Sequence, residues 1–567
     1  MKNIIFFFLF TLFDCLVKSD LPIHALMGDI HGVWKIRQTK KFSEKPEHCG
    51  GGTPNRNSEN LSSTVKYYER FLENKYGSLE EIKIRLTLEK IKIINEIKPR
   101  DQWTYLAVKS YDDDEIIGYW TMVYDEGFEI RLKGRRYFGF FKYEKNSNIN
   151  CPKSIEDKNS DENECYKTDP TETRIGWILD EKIKRNSRQK IFHWGCFYSE
   201  KEQDGNVSSF VIHNIQQKET VIDNNEKNEV YKKNKLNFSM LGKRSKYKKV
   251  RLSSLPKIYA STRTNLMNIY EKKSHQIYGC KKDNFIDLKI RLTLPKEFSW
   301  GDPFSDENFD EEVEDQKDCG SCYSISSIYC LKKRFEILFW KKYKKKIKIP
   351  KLSYQSILSC SPFNQGCDGG YPFLVGRQMY EYGVSSEKYM KCENNDMIPC
   401  KINMGDFNKS NNNDNNMDEI YYASDYYYIN GCYECADEYD MMNEILLNGP
   451  IIAAINATPE LLNLYNINKN KIYNVTSNEN KICDVLNEGF NGWQQTNHAI
   501  NIVGWGEQIN ENNKLVKYWI IRNTWGKKWG YKGYLKFQRG INLAGIESQA
   551  VFIDPDFSRG KAKILLD

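Results

Sequence analysis

The chain has 567 residues, 28% of them charged and 40% hydrophobic, with a formal net charge of +8. That length exceeds one ordinary domain and predicts three or four segments. The positive charge is spread along the chain and no nucleotide or nucleic-acid motif accompanies it, which excludes a dedicated nucleic-acid module.

Residues 1–19 carry Lys2, an apolar run from Ile4 to Phe13 and the ending Val17-Lys18-Ser19, the pattern of a cleaved secretory signal. The run is too short to span a bilayer, Asp14 follows it, and no other apolar stretch approaches the needed length, so no transmembrane anchor is expected. Cleavage after Ser19 makes Asp20 the mature N-terminus. Over 20–204, blocks such as Glu126–Leu132, Tyr137–Tyr143 and His193–Phe197 are aromatic-rich and alternate as strands do. Residues 205–293 change character: Asn224–Glu229 is polar, Lys243–Lys249 is basic, and few apolar residues are spaced for a core. Exposure and protease access are expected there.

Residues 294–567 hold the chemistry. From Ser321 the positions Ile325, Ile328, Leu331, Phe335, Leu338 and Phe339 recur at helical spacing, placing Cys322 at a helix N-terminus. The helix dipole and unpaired N–H groups there are expected to lower the thiol pKa and favour the nucleophilic thiolate. The basic run Lys341–Lys348 follows and reads as solvated surface. Downstream, Asn497-His498-Ala499 opens one strand pattern, and Tyr518–Arg522 forms another that ends at Asn523-Thr524-Trp525-Gly526. An Asn can hold an imidazole in the tautomer that faces a thiol, and an indole can shield that bond from water.

Cys319-Gly320-Ser321-Cys322-Tyr323, Asn497-His498-Ala499 and Asn523-Thr524-Trp525-Gly526 resemble the signature blocks of papain-family cysteine proteases. Cys367-Asp368-Gly369-Gly370 resembles that family's glycine-rich cleft wall. The resemblance implies Cys322 as nucleophile, His498 as general base and acid, and Asn523 as its orienter. It implies Gln316 with the Cys322 N–H as the oxyanion hole, and Gly369, Gly370, Asn497 and Trp525 along the substrate cleft. The N-terminal blocks resemble the exclusion domain of cathepsin C-like dipeptidyl peptidases, whose first carboxylate pairs with the substrate's free amine, a role that falls here to Asp20. The fold implied is α+β: a papain-like two-lobe domain, preceded by an antiparallel β-barrel exclusion domain. The resemblance implies that 205–293 is an activation peptide removed by a maturation protease; a polyanion- or membrane-binding role for the Lys243–Lys249 cluster is the alternative.

Substrates are then peptides or proteins with free N-termini, and the compartment is the secretory pathway, a lysosome-like vacuole or the extracellular space. An endopeptidase of the same fold and a non-catalytic papain-fold binding protein are the alternatives. No metal is implied. Cathepsin C-like enzymes use a Tyr at the S2 pocket for chloride, where this chain has Phe373; this argues against a chloride requirement unless a displaced Tyr371, Tyr427 or Tyr428 compensates, and no other cofactor is expected. Ile546 resembles an S2 wall residue. Abundant Lys, Asn, Ile and Tyr and the tract Asn411–Asn416 look like AT-rich coding in a parasitic protist.

The 16 cysteines fit an oxidising compartment. Family resemblance implies the pairs Cys319–Cys367, Cys360–Cys400 and Cys49–Cys196, and Cys151 with Cys165 is a further candidate. Cys392, Cys432, Cys435 and Cys483 stay unassigned, with disulfides favoured over zinc, and Cys330 reads as a buried free thiol. Sequons at Asn60, Asn206, Asn237, Asn408, Asn456 and Asn474 permit glycosylation.

Overall fold

The computed structural model describes residues 25, 27–43, 49, 65–95, 97, 100–145, 166–184, 190–205, 294–306, 308–395, 397–402, 420–457, 459–474, 496–510 and 513–565. It also describes the strand backbone at 213–216 and 221–222. Asp20, Cys151, Cys165, Cys280, Cys483, the Lys243–Lys249 run and the Asn411–Asn416 tract lie outside the described residues.

The aromatic-rich N-terminal blocks are strands β1 (Gly32–Gln38), β2 (Glu80–Ile94), β3 (Thr104–Ser110), β4 (Ile116–Val123), β5 (Gly127–Leu132), β6 (Arg135–Lys145), β7 (Tyr166–Thr173), β8 (Gly176–Lys184) and β9 (Lys190–Asp204). Antiparallel pairing runs β1-β2-β3-β4-β5-β6-β8-β9 and returns from β9 to β1, closing a barrel. Closure leaves no ring strand with an open edge. Trp34, Trp120, Phe128, Phe141 and Phe197 fill the core, with the Trp34 and Phe128 rings edge to face at 5.2 Å. The Cys49–Cys196 disulfide ties the loop after β1 to β9.

The C-terminal half is a helical lobe against a β-rich lobe. Helix α1 (Cys322–Tyr343) carries the apolar stripe the spacing predicts, and Ile325, Ile328, Leu331 and Phe335 are all buried. Helices α2 (Gln355–Cys360), α3 (Pro372–Glu381) and α4 (Glu438–Asn448) follow. Strands β10 (Ala423–Tyr428), β11 (Ile451–Ile455), β12 (His498–Ile509), β13 (Leu515–Arg522), β14 (Tyr534–Gln538) and β15 (Ala550–Pro555) pair in the order β10-β15-β11-β12-β13-β14. The first lysine of the basic run, Lys341, lies in the last turn of α1 and is not simply solvated. Lys341 Nζ donates to the carbonyls of Leu446 and Leu447 at 3.0 and 2.6 Å, where α4 leaves its last acceptors unpaired.

The barrel docks on this half through buried charge. Arg100 reaches Glu444 and Asp554, and Arg334 of α1 joins the same two carboxylates. Arg131 donates to the Tyr426 carbonyl at 2.7 Å and to Asp425 at 3.0 Å. Glu129 accepts from Tyr426 Oη at 2.7 Å and pairs with Arg377. No helix among the described residues is long and apolar enough to cross a membrane.

Candidate active site

Cys322 opens α1, and the turn before it is fixed covalently. The Cys319–Cys367 disulfide joins it to the glycine-rich wall, and Gly320 N–H donates to the Cys367 carbonyl at 2.8 Å. The helix begins where Ile325 N–H bonds the Ser321 carbonyl at 3.0 Å. His498 opens β12, and Asn523 stands one residue beyond the end of β13. Their side chains meet: His498 Nε2 and Asn523 Oδ1 lie 2.7 Å apart. An amide oxygen only accepts, so this contact puts the proton on Nε2. His498 Nδ1 is then the acceptor nitrogen, buried and with no hydrogen-bond partner among the described residues. Trp525 stacks on the imidazole at 4.4 Å between ring centroids, shielding it from water.

Cys322 and His498 line one recess with Gly320, Tyr323, Gly370, Tyr371, Pro372, Thr496, Asn497, Ala499 and Tyr124. Gln316 is buried and cross-links the blocks. Its N–H donates to the Thr524 carbonyl at 2.9 Å, its Oε1 accepts from Thr524 Oγ1 at 2.6 Å, and its Nε2 donates to the Cys319 carbonyl at 3.2 Å. A second Nε2 hydrogen remains. Asn497 lines the recess, its N–H bonded to the Ile455 carbonyl and its Oδ1 accepting from Ala457 N–H.

The N–H groups at the helix start pull the Cys322 pKa down as the sequence predicts, but in this enclosed state burial outweighs them. Burial pushes Cys322 up to about 11, against the opposing pull of the N–H groups of Ala499, Tyr323 and Cys322 itself. Burial likewise pushes His498 down to about 4, although its bond to Asn523 acts the other way. Desolvation penalises both charged forms, and burial therefore favours the neutral thiol and the neutral imidazole.

The remaining expected site residues are placed unevenly. Gly369 has φ +127°, and Gly370 presses so closely on Asn364 and Tyr323 that a Cβ would lie 2.5 and 2.7 Å from them. Phe373 is fully buried and stacks on Tyr428 at 4.8 Å rather than facing the recess. Ile546 is also fully buried and does not line it. Tyr428 Oη accepts from the Tyr124 N–H at 3.2 Å, while Tyr427 Oη is buried without a partner among the described residues. One free hydroxyl beside a phenyl ring is a poor fit to an anion, and no catalytic step is assigned to chloride. Asp20 lies outside the described residues.

Tyr124 was not legible as a site residue. It sits at the tip of the β4–β5 hairpin, in the left-handed region at φ 53°, and crosses from the barrel into the recess. Its ring packs 4.8 Å from Tyr371. Only its place beside the Gly127–Leu132 block pointed toward it.

Of the cysteines, the pairs Cys49–Cys196, Cys319–Cys367 and Cys360–Cys400 are present, and Cys432 pairs with Cys435. Cys330 is a buried free thiol donating to the Pro450 carbonyl at 3.2 Å, and Cys392 is free.

Comparison with known proteins matches residues 294–553 to the papain family cysteine proteases and residues 20–201 to the cathepsin C exclusion domain. Dipeptidyl aminopeptidase 1 of Plasmodium falciparum (isolate 3D7) is 32% identical, over 97% of this chain and 95% of that protein. Cathepsin C of Schistosoma mansoni is 27% identical, over 77% of this chain and 84% of its own length. Pro-cathepsin H of Bos taurus is 29% identical over 44% of this chain and 62% of its own.

Proposed function

The chain belongs to the papain family of cysteine proteases and carries a cathepsin C exclusion domain; from that premise we propose that this cysteine peptidase releases dipeptides from free N-termini. The observation that carries the reading is Tyr124, a barrel residue that lines the same recess as Cys322 and His498. A papain cleft alone is open along its length, whereas one with a barrel hairpin in it accepts only a short N-terminal stretch of substrate.

Asp20 supplies the counter-charge for the substrate amine. Ala25 N–H donates to the Asp125 carbonyl at 2.9 Å, next to Tyr124. Five extended residues span at most roughly 18 Å, so Ala25 tethers Asp20 within that distance of the hairpin that carries Tyr124. A carboxylate in a partly closed cleft selects a free amine, because a blocked terminus leaves it unpaired.

In the reaction, Cys322 attacks the carbonyl carbon of the second substrate residue as His498 Nδ1 takes its proton. Asn523 holds His498 through Nε2. The Cys322 N–H and Gln316 Nε2 receive the oxyanion. His498 then protonates the leaving amine, and water hydrolyses the thioester. Maturation removes 205–293, and the enzyme works in a compartment of the secretory pathway.

The test is a panel of dipeptide substrates with free and acylated N-termini, run on the mature enzyme together with an electrophilic label for Cys322. Labelling and strong preference for the free amine, lost in Asp20→Ala, are expected. Equal cleavage of blocked substrates, unaffected by Asp20→Ala, would mark an endopeptidase, and an unlabelled mature protein would mark a binding protein.

A further inference from the structure

Between β10 and α4 the chain makes a tight turn closed by the Cys432–Cys435 disulfide, across a sequence separation of 3. Cys435 N–H also donates to the Cys432 carbonyl at 3.1 Å, and Asn430 Nδ2 donates to the Cys435 carbonyl at 2.7 Å. Asn430, Gly431 and Glu434 all sit at positive φ. Two of these are not glycine, so the turn holds a conformation its residues rarely adopt unaided.

The residue presented by this turn is Tyr433, and it is held on every side. Its N–H donates to Thr121 Oγ1 of the barrel strand β4 at 2.8 Å. Its hydroxyl accepts from Gln549 Nε2 at 2.9 Å, and Gln549 Oε1 accepts from Thr496, which lines the recess, at 3.0 Å. Its ring lies 5.7 Å from Tyr124 and 5.6 Å from Tyr428. Tyr428 in turn accepts the Tyr124 N–H and stacks on Phe373. Tyr433 therefore meets the barrel and the wall residue Tyr124 directly and reaches the rim of the recess through Gln549.

We propose that Tyr433, locked by the Cys432–Cys435 staple, is a positioning residue that sets Tyr124 as the end wall of the substrate recess. The proposal rests on the dipeptidase reading above. Tyr124 occupies a left-handed conformation at a hairpin tip, and packing from outside its own hairpin is what holds such a residue in place. Tyr433 supplies that packing from the catalytic half. The disulfide limits the turn's alternatives, so the wall is fixed before substrate arrives.

The experiment uses the mature enzyme. Peptide mapping without reduction should find Cys432 joined to Cys435; free alkylation of both would overturn the staple. Tyr433→Ala should raise KM for a free-amine dipeptide substrate roughly tenfold, with kcat within about twofold of wild type and Cys322 alkylation by iodoacetamide unchanged. Tyr433→Phe, which keeps the ring and loses only the Gln549 bond, should restore KM to within about twofold. Cys432→Ser with Cys435→Ser should raise KM in the same direction. If Tyr433→Ala does not accumulate, Tyr433→Leu carries the same expectation. An unchanged KM in these variants, or a joint fall of kcat and alkylation, overturns the proposal. Wild type that cleaves free and blocked substrates equally removes the dipeptidase reading instead.

Discussion

Asn501 donates its side-chain amide to the Ser326 carbonyl at 2.9 Å. Ser326 lies one turn beyond Cys322 on α1, and Asn501 lies three residues beyond His498 on β12. Ser326 returns the contact, its hydroxyl donating to the Ala499 carbonyl at 3.0 Å. This reciprocal pair sets the register between nucleophile helix and base strand, at full burial on both sides.

Asn501→Ala leaves the Ser326 carbonyl without that donor, and the Ile451 carbonyl without its 3.3 Å contact. Stability should fall by about 1–3 kcal/mol in denaturant unfolding. Because the lost bonds also position Cys322 against His498, kcat should fall roughly tenfold or more with little change in KM. A variant with wild-type kcat would assign the pair to stability alone.

The pKa shifts give two pH dependences of opposite sign. His498 has a folded pKa of about 4, below its ordinary 6.5. Its contribution to stability is present above 6.5 and lost as pH falls toward 4. His498→Gln, which does not titrate, should therefore lose on the order of 2–3 kcal/mol less than wild type between pH 7 and pH 4. Cys322 has a folded pKa of about 11, above its ordinary 9. Its contribution is present below 9 and lost as pH rises through 11. In the unprocessed chain, iodoacetamide labelling should climb with pH without a plateau at neutrality. A flat rate from about pH 5 to pH 8 would mean that the thiolate–imidazolium pair already exists there.

The local features of this site were legible in the sequence. Cys322 at a helix start, His498 at a strand start and Asn523 at a strand end each follow from a few contiguous residues and their periodicity. The barrel's strands were legible from alternating aromatic blocks, and its closure was implied by the resemblance to an exclusion domain. Three features were not. Tyr124 reaches the recess through the docking of the barrel, a relationship that no local pattern encodes. The Cys432–Cys435 pair was one of several connectivities open to the unassigned cysteines, and sequence alone does not choose among them. The thiol pKa was read from the helix N-terminus alone, and the burial that overrides it is a property of the packed cleft.

Arg100 supports a prediction about the barrel itself. Its guanidinium is buried and bonds Glu444 at 2.5 and 3.1 Å and Asp554 at 2.5 and 3.1 Å. Burial pushes Glu444 up, yet Arg100 and Arg334 outweigh it and hold the carboxyl at about 2. That stability is present above the ordinary value of 4.5 and is lost only as pH falls toward 2, so the docking contact should persist at pH 5. Arg100→Ala leaves two buried carboxylates sharing Arg334 alone and should cost about 3–5 kcal/mol. Limited proteolysis at pH 5 should release the barrel from Arg100→Ala and not from wild type. Equal resistance in both would show that the other interdomain contacts suffice.

Gly370 offers the sharpest steric test of the cleft wall. A Cβ built there stands 2.5 Å from Asn364 Oδ1 and 2.7 Å from the Tyr323 ring. Asn364 Oδ1 is committed to the Tyr371 N–H at 2.8 Å, and Tyr323 follows the nucleophile, its hydroxyl donating to the Gly366 carbonyl at 3.0 Å. Neither is the free end of a flexible side chain, so Gly370→Ala must push the wall and the first turn of α1 apart. Stability should fall by about 1–3 kcal/mol through this overpacking. The rate of Cys322 labelling should change as well, because the displaced turn carries the sulfur, and kcat/KM should drop roughly a hundredfold. Gly369→Ala tests the neighbouring position differently, since its φ of +127° strains any residue with a side chain whatever space surrounds it. If Gly370→Ala kept wild-type kcat/KM, the wall would be yielding, and the close contacts at Asn364 and Tyr323 would not fix the nucleophile's position.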